Sequence, residues 1–121
     1  MFKEALSDII ERTEGAIGAL IMGMDGIAVE RVFLPEASDM NMDVAAAEMT
    51  SLVRGALRAG NNTGLGALQE LVVNFEGVRI LARMFSPEYF VVLALKPDGN
   101  LGRGRFELRK AELRLAREFA L

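Results

Sequence analysis

Residues 89–96, YFVVLALK, are apolar almost without a break. A half-buried strand alternates polar and apolar side chains, so an unbroken run of this length reads as a central strand buried on both faces. The rest of the chain has to cover it. Lys96-Pro97-Asp98-Gly99 closes the run with turn-forming residues.

Two hairpins supply neighbours for this strand. Ile17 to Gly23 and Ile27 to Leu34 are apolar or β-branched segments interrupted at Asp25-Gly26, a two-residue turn signal, and Pro35 ends the second. After Leu68, a turn at Glu76-Gly77 divides a segment carrying Leu71, Val73 and Phe75 on one face from one in which Val78, Ile80, Ala82 and Met84 alternate with Arg79, Leu81, Arg83 and Phe85. Three helices separate and flank these strands. Phe2, Leu6, Ile9, Ile10 and Thr13 recur at helical spacing up to Gly15, and Leu108, Ala111, Leu115 and Phe119 form the apolar stripe of a last amphipathic helix. Between the hairpins, Ser38, Asp39 and Asn41 are candidate N-caps for a middle helix of about five turns. The element order is αββαβββα.

The middle helix is too apolar to have a single buried face. Met42, Ala45, Met49, Leu52 and Ala56 make one stripe, Ala46, Val53, Leu57 and Gly60 broaden it, and Ala47 and Thr50 extend it round the side. The run of alanines and Gly55 would let another backbone come close. Met42 and Met49 can be read as core filling or as an adaptable binding surface. Arg54 and Arg58, one turn apart, read as a solvated face or as a contact for an acidic partner.

Composition narrows the function. The 121 residues form one domain, and 51% are hydrophobic, tilted toward the apolar side for so small a chain. There is no Cys and no His. That removes disulfides, thiolate nucleophiles, the usual zinc sites and any side chain that ordinarily titrates near neutrality, so neither an enzyme nor a cofactor or metal site is expected. Charges interrupt the N-terminal segment and no run approaches a membrane span, so a cytoplasmic protein with no transmembrane segment is expected. Residues 1–50 hold three basic and ten acidic side chains, residues 51–121 eleven basic and seven acidic. The basic half is mixed with Glu and lacks interleaved aromatics, which argues against a nucleic-acid partner.

Two glycine-rich stretches invite a ligand reading. Gly102 to Arg105, in a loop ahead of the last helix, could cradle an anion with backbone N–H groups and two arginines, but it lacks the Gly-Lys-Ser/Thr ending of a phosphate-binding loop. Its plainer reading is a loop feeding a helix. Gly60 to Gly66, GNNTGLG, reads as a helix C-cap with Gly and Asn in left-handed conformations.

Taken together, the order αββαβββα, the Ala/Met-rich middle helix, the hairpin GALIMGMDGIAVE and the string NLGRGRFELRKA resemble the Roadblock/dynein light-chain family, in particular its bacterial MglB-like members. The resemblance spans essentially the whole chain. Many members have Leu or Ala where this sequence has Arg103 and Gly104. The resemblance implies an α+β sandwich: a five-stranded antiparallel sheet with the long middle helix on one face and the two terminal helices on the other. It also implies a homodimer in which the strand near Leu68 to Phe75 pairs with its twin and the middle helices lie side by side, forming a platform for a Ras-like small GTPase. Carried onto this chain, the interface would use Met42, Ala45, Ala46, Met49, Thr50, Val53, Arg54, Leu57 and Arg58 of the helix with Leu71, Val73 and Phe75 of the strand. The function so implied is a non-catalytic regulator of the GTPase nucleotide cycle. A structural adaptor of the same fold, without effect on turnover, is the alternative, and an anion sensor at Gly102 to Arg105 is a third reading.

Overall fold

In the computed structural model, which describes residues 2–119, the apolar run forms β5, Tyr89–Leu95, at the centre of one five-stranded sheet. The other elements, in chain order, are α1 (Phe2–Arg12), β1 (Ala16–Gly23), β2 (Ala28–Phe33), a 3-10 turn (Pro35–Ala37), α2 (Met42–Thr63), β3 (Glu70–Asn74), β4 (Arg79–Met84) and α3 (Leu101–Phe119). The spatial order is β2-β1-β5-β4-β3 and every pair is antiparallel. This is the expected α+β sandwich.

Period-two alternation sorts β5 into two cores. Val91, Leu93 and Leu95 join Leu6, Ile9, Leu108 and Leu115 beneath α1 and α3, while Phe90, Val92 and Ala94 join Met42, Ala46, Met49 and Val53 beneath α2. β1 is buried along its whole length and divides in the same way. An irregularity in its register with β5, between Ala16 and Gly18, puts Ile17 on the α2 side together with Leu20 and Met22. The aromatic Phe119 closes the α1/α3 side, its ring 4.8 Å from Phe2, 5.3 Å from Phe85 and 4.4 Å from Tyr89. Each large side chain fully buried in this way is worth about 1.5–3 kcal/mol of transfer free energy.

Three local expectations are adjusted. The first hairpin turns through three residues, Met24, Asp25 and Gly26: Gly26 N–H donates to Gly23 O (2.9 Å), and Gly23 N–H to Ile27 O (2.9 Å). Gly26 takes φ +87°, the left-handed residue that three-residue hairpin loops need, while Asp25 Oδ1 accepts from Ile27 N–H at 3.0 Å. Asp25 therefore serves the turn. At α2, Asn41 is the N-cap, its Oδ1 accepting from Val44 N–H at 3.2 Å, and the helix runs through Asn61, Asn62 and Thr63 before Gly64 caps it at φ +76°. Both asparagines are helical, so the left-handed role falls to Gly64 and, beyond it, Gly66. Finally, α3 begins at Leu101, and the stretch expected as a glycine-rich loop is its first turn and a half.

Candidate partner interface on the middle helix and the sheet edge

Sequence spacing alone leaves α2 with apolar residues around most of its circumference. Docking on the sheet resolves them into an inner stripe and two flanks. Met42, Ala46, Met49, Thr50 and Val53 are buried, the four apolar ones within the chain's own α2-side core and Thr50 with its hydroxyl donating to Ala46 O at 3.1 Å. At about 100° per residue these five share one face, the one turned to the sheet, so in this chain they are core residues.

Ala45 and Leu57 are half-buried at the border of that stripe. Outside it, Leu52, at 48% exposure, shares one flank with Ala45, Ala56 and Ala59. Gly55 lies farther round the outer surface, where an added Cβ would meet nothing within 4 Å. Val44, on the outermost surface, is also exposed. Leu52, Ala56 and Ala59 were not among the expected site residues. Their signal was present in the sequence as surplus apolar character, but not in a form that told one face from another.

The opposite flank is charged. Arg54 donates from Nη2 to Met24 O at the tip of the first hairpin, and Arg31 of β2 pairs with Asp43. No ion pair reaches Arg58 among the described residues. Arg54 is thus partly committed within the chain, and Arg58 points its charge at solvent.

β3 is an edge strand, paired with β4 on one side only. Leu71 and Val73 lie half-buried on the α2 side of the sheet. Phe75 falls just past the strand in the hairpin turn, where its N–H donates to Val78 O (2.9 Å) and the residue is 53% exposed. An edge strand leaves a row of backbone donors and acceptors without partners, which is a template for pairing with another strand.

The glycine-rich stretch does not form a free anion cradle. Asn100 Oδ1 accepts from Arg103 N–H (2.9 Å) as the N-cap of α3, and Asn100 O accepts from Gly104 N–H (3.0 Å). The arginines are engaged too. Arg103 lies 2.7 Å from Glu107 and donates to Arg12 O, while Arg105 Nε donates to Glu70 Oε2 at 2.8 Å, tying α3 to the edge strand. Arg83 completes this half-buried network between Glu70 (3.8 Å) and Glu112 (3.3 Å). Gly104 lets α3 pass close to the sheet, since a Cβ there would come 2.8 Å from Leu93 Cδ2 and that side chain would have to shift. Among the described residues no acidic cluster has the makings of a metal site, and no helix is long and apolar enough to cross a membrane.

Comparison with known proteins agrees with this architecture. The Roadblock/LC7 domain family matches residues 2–94. The crystal structure of MglC from Myxococcus xanthus is 34% identical, covering 97% of this chain and 98% of that one with a TM-score of 0.73. Two MglB structures share the fold at lower identity. The gliding protein MglB from Thermus thermophilus has 21% identity, coverage of 95% and 85%, and a TM-score of 0.84. An MglB with a tetrameric arrangement has 23% identity, coverage of 98% and 89%, and a TM-score of 0.86. The search of curated proteins gives no match. With its element order, its two-sided sheet and this match over three-quarters of its length, the chain belongs to the Roadblock/LC7 family.

Proposed function

We propose that this Roadblock/LC7 chain is a homodimeric, non-catalytic regulator of a Ras-like small GTPase. The observation that carries the reading is the outward surface of α2, which keeps Val44 and Leu52 exposed beside Ala45, Gly55, Ala56 and Ala59 after the helix has filled its own core. Small residues allow close helix approach, and burying Leu52 against a twin helix would remove apolar surface from water. The unpaired edge of β3 lends further support: pairing with its twin would extend the sheet across two chains and bring Leu71, Val73 and Phe75 to the seam.

In this reading the paired helices form the platform, and Arg54 and Arg58 stand on its charged side. The hydrolytic chemistry belongs, in this reading, to the GTPase. Regulation follows from differential affinity: a platform that prefers one arrangement of the partner's switch segments shifts their population, and one that binds both equally shifts nothing.

The test uses the purified chain and a Ras-like GTPase from the same organism, loaded with GDP or a non-hydrolysable GTP analogue. Binding that differs between the two states, with a changed rate of hydrolysis or exchange, is expected. Equal binding with unchanged rates would favour the adaptor alternative, and absence of binding would remove the GTPase from the reading altogether.

A further inference from the structure

The outer face of α3 is built unlike that of α2. Phe106 and Leu113, seven residues and about two turns apart, stand exposed at 54% and 74% on one line of the helix. Arg109, Lys110 and Arg117 surround them in solvent, and the Arg103 guanidinium lies 5.1 Å from the centre of the Phe106 ring. The carboxylates of the helix are occupied elsewhere: Glu107 is buried beside Arg103, Glu112 faces Arg83, and Glu118 lies largely covered near Arg114. The exposed face therefore presents cations around two apolar knobs.

A complementary surface exists on the same chain. Between β2, the 3-10 turn and the start of α2 runs a shallow groove lined by Phe33, Leu34, Pro35, Met40 and Met42. Asp43, paired with Arg31, lines it, and Glu36 and Asp39, exposed and in no ion pair among the described residues, alternate in sequence with its lining residues Pro35, Ala37, Ser38 and Met40. This groove belongs to the acidic N-terminal half of the sequence and the knobs to the basic C-terminal half. One molecule cannot join them. α3 packs over β4 and β5, α1 lies between it and the β2 edge, and the groove opens at that edge.

We propose that the outer face of α3 in one molecule docks into the β2–α2 groove of a second copy of this chain, with Phe106 and Leu113 entering the groove and Arg109 and Lys110 facing Glu36 and Asp39. The two surfaces differ, so the contact is head to tail and can link one homodimer to the next. It does not draw on the GTPase reading, and it leaves the outer flank of α2 untouched.

Two charge-reversed variants test it by sedimentation velocity, with circular dichroism to check folding: E36K/D39K and R109E/K110E. The unaltered chain is expected to show concentration-dependent mass above its basal species at low salt, lost at high salt as the charges are screened. Each variant alone should associate at least about tenfold more weakly, and an equimolar mixture of the two should recover, because the unaltered α3 face of one then meets the unaltered groove of the other and the two reversed surfaces also carry opposite charges. Recovery is expected likewise in the single chain carrying all four substitutions, where the pairing is inverted and restored. F106S/L113S should weaken association while keeping the net charge and the basal species. The proposal is overturned if the unaltered chain shows no salt-sensitive association, if the fourfold variant fails to recover, or if the α3 face instead binds phosphatidylserine vesicles while the protein stays at its basal mass. L52E/A59E separates the two interfaces: it should lower the basal mass and leave the charge-dependent step in place.

Discussion

α2 and α3 lie on opposite faces of one sheet and solve the same packing problem, yet their outer surfaces diverge. α2 spends 22 residues on an inner stripe of Met42, Ala46, Met49 and Val53 and leaves an outer surface of small and apolar residues with few ion pairs. α3 spends 19 residues on an inner stripe centred on Leu108 and Leu115, and its flanks are laced to the sheet and to α1 through Glu70, Arg83, Glu112 and Asp8. A helix with a small, smooth back admits another backbone. One with a cationic back attracts acidic surfaces at a distance and responds to salt.

The sharpest way to break this comparison is to place a carboxylate on adjacent residues of α2. Val53 is fully buried and Leu52 is half exposed. Val53→Asp strands a charge in the α2-side core, costing several kcal/mol, a large share of a small domain's stability, and is expected to abolish the cooperative melt seen by circular dichroism. Leu52→Asp should leave the intrinsic stability of the fold within about 0.5 kcal/mol while reducing the dimer measured by light scattering. If both variants unfold, the outer flank has been assigned to the wrong side of the helix. Next in size, Leu115→Ala empties space under α3 and should cost about 2–5 kcal/mol in urea denaturation.

The two helix starts offer a smaller, matched test. Asn41 and Asn100 each accept from the backbone N–H three residues on, at 3.2 and 2.9 Å. Alanine at either position should cost about 1 kcal/mol, by the same denaturation measurement, because one helix-terminal donor loses its acceptor. Smallest is Arg105→Ala. Its pair with Glu70 is partly solvated, so a loss of no more than about 1 kcal/mol is expected, shrinking further as salt is raised.

Legibility in the sequence followed the range of the forces involved. The stripe of α3 was readable because Leu108, Ala111, Leu115 and Phe119 are set among charged residues, which leaves only one way for the helix to face. α2 was readable as a helix but not as an orientation. Alanine and methionine occupy so much of its surface that Leu52 and Met49 look alike until the sheet selects which is covered. Gly102 and Gly104 pointed to a loop because glycine weakens a helix interior by roughly 1 kcal/mol relative to alanine. The helix persists there because Asn100 caps it, and the glycine at position 104 lets it pass within 2.8 Å of Leu93 Cδ2, measured from where a Cβ would stand.

By itself, the amino-acid sequence determined the order of elements, the central place of β5, the two turns and the absence of imidazole and thiol chemistry. These depend on periodicity, turn residues and composition, all of which act over a few residues or need no fold at all. Only the tertiary structure decided which face of α2 is core and which is surface, that Arg103 and Arg105 serve contacts within the chain, and that the basic back of α3 and the acidic groove beside β2 lie too far round the molecule to meet. Each of those outcomes pairs residues distant in sequence, and such pairs acquire an energy only when the sheet has brought them together.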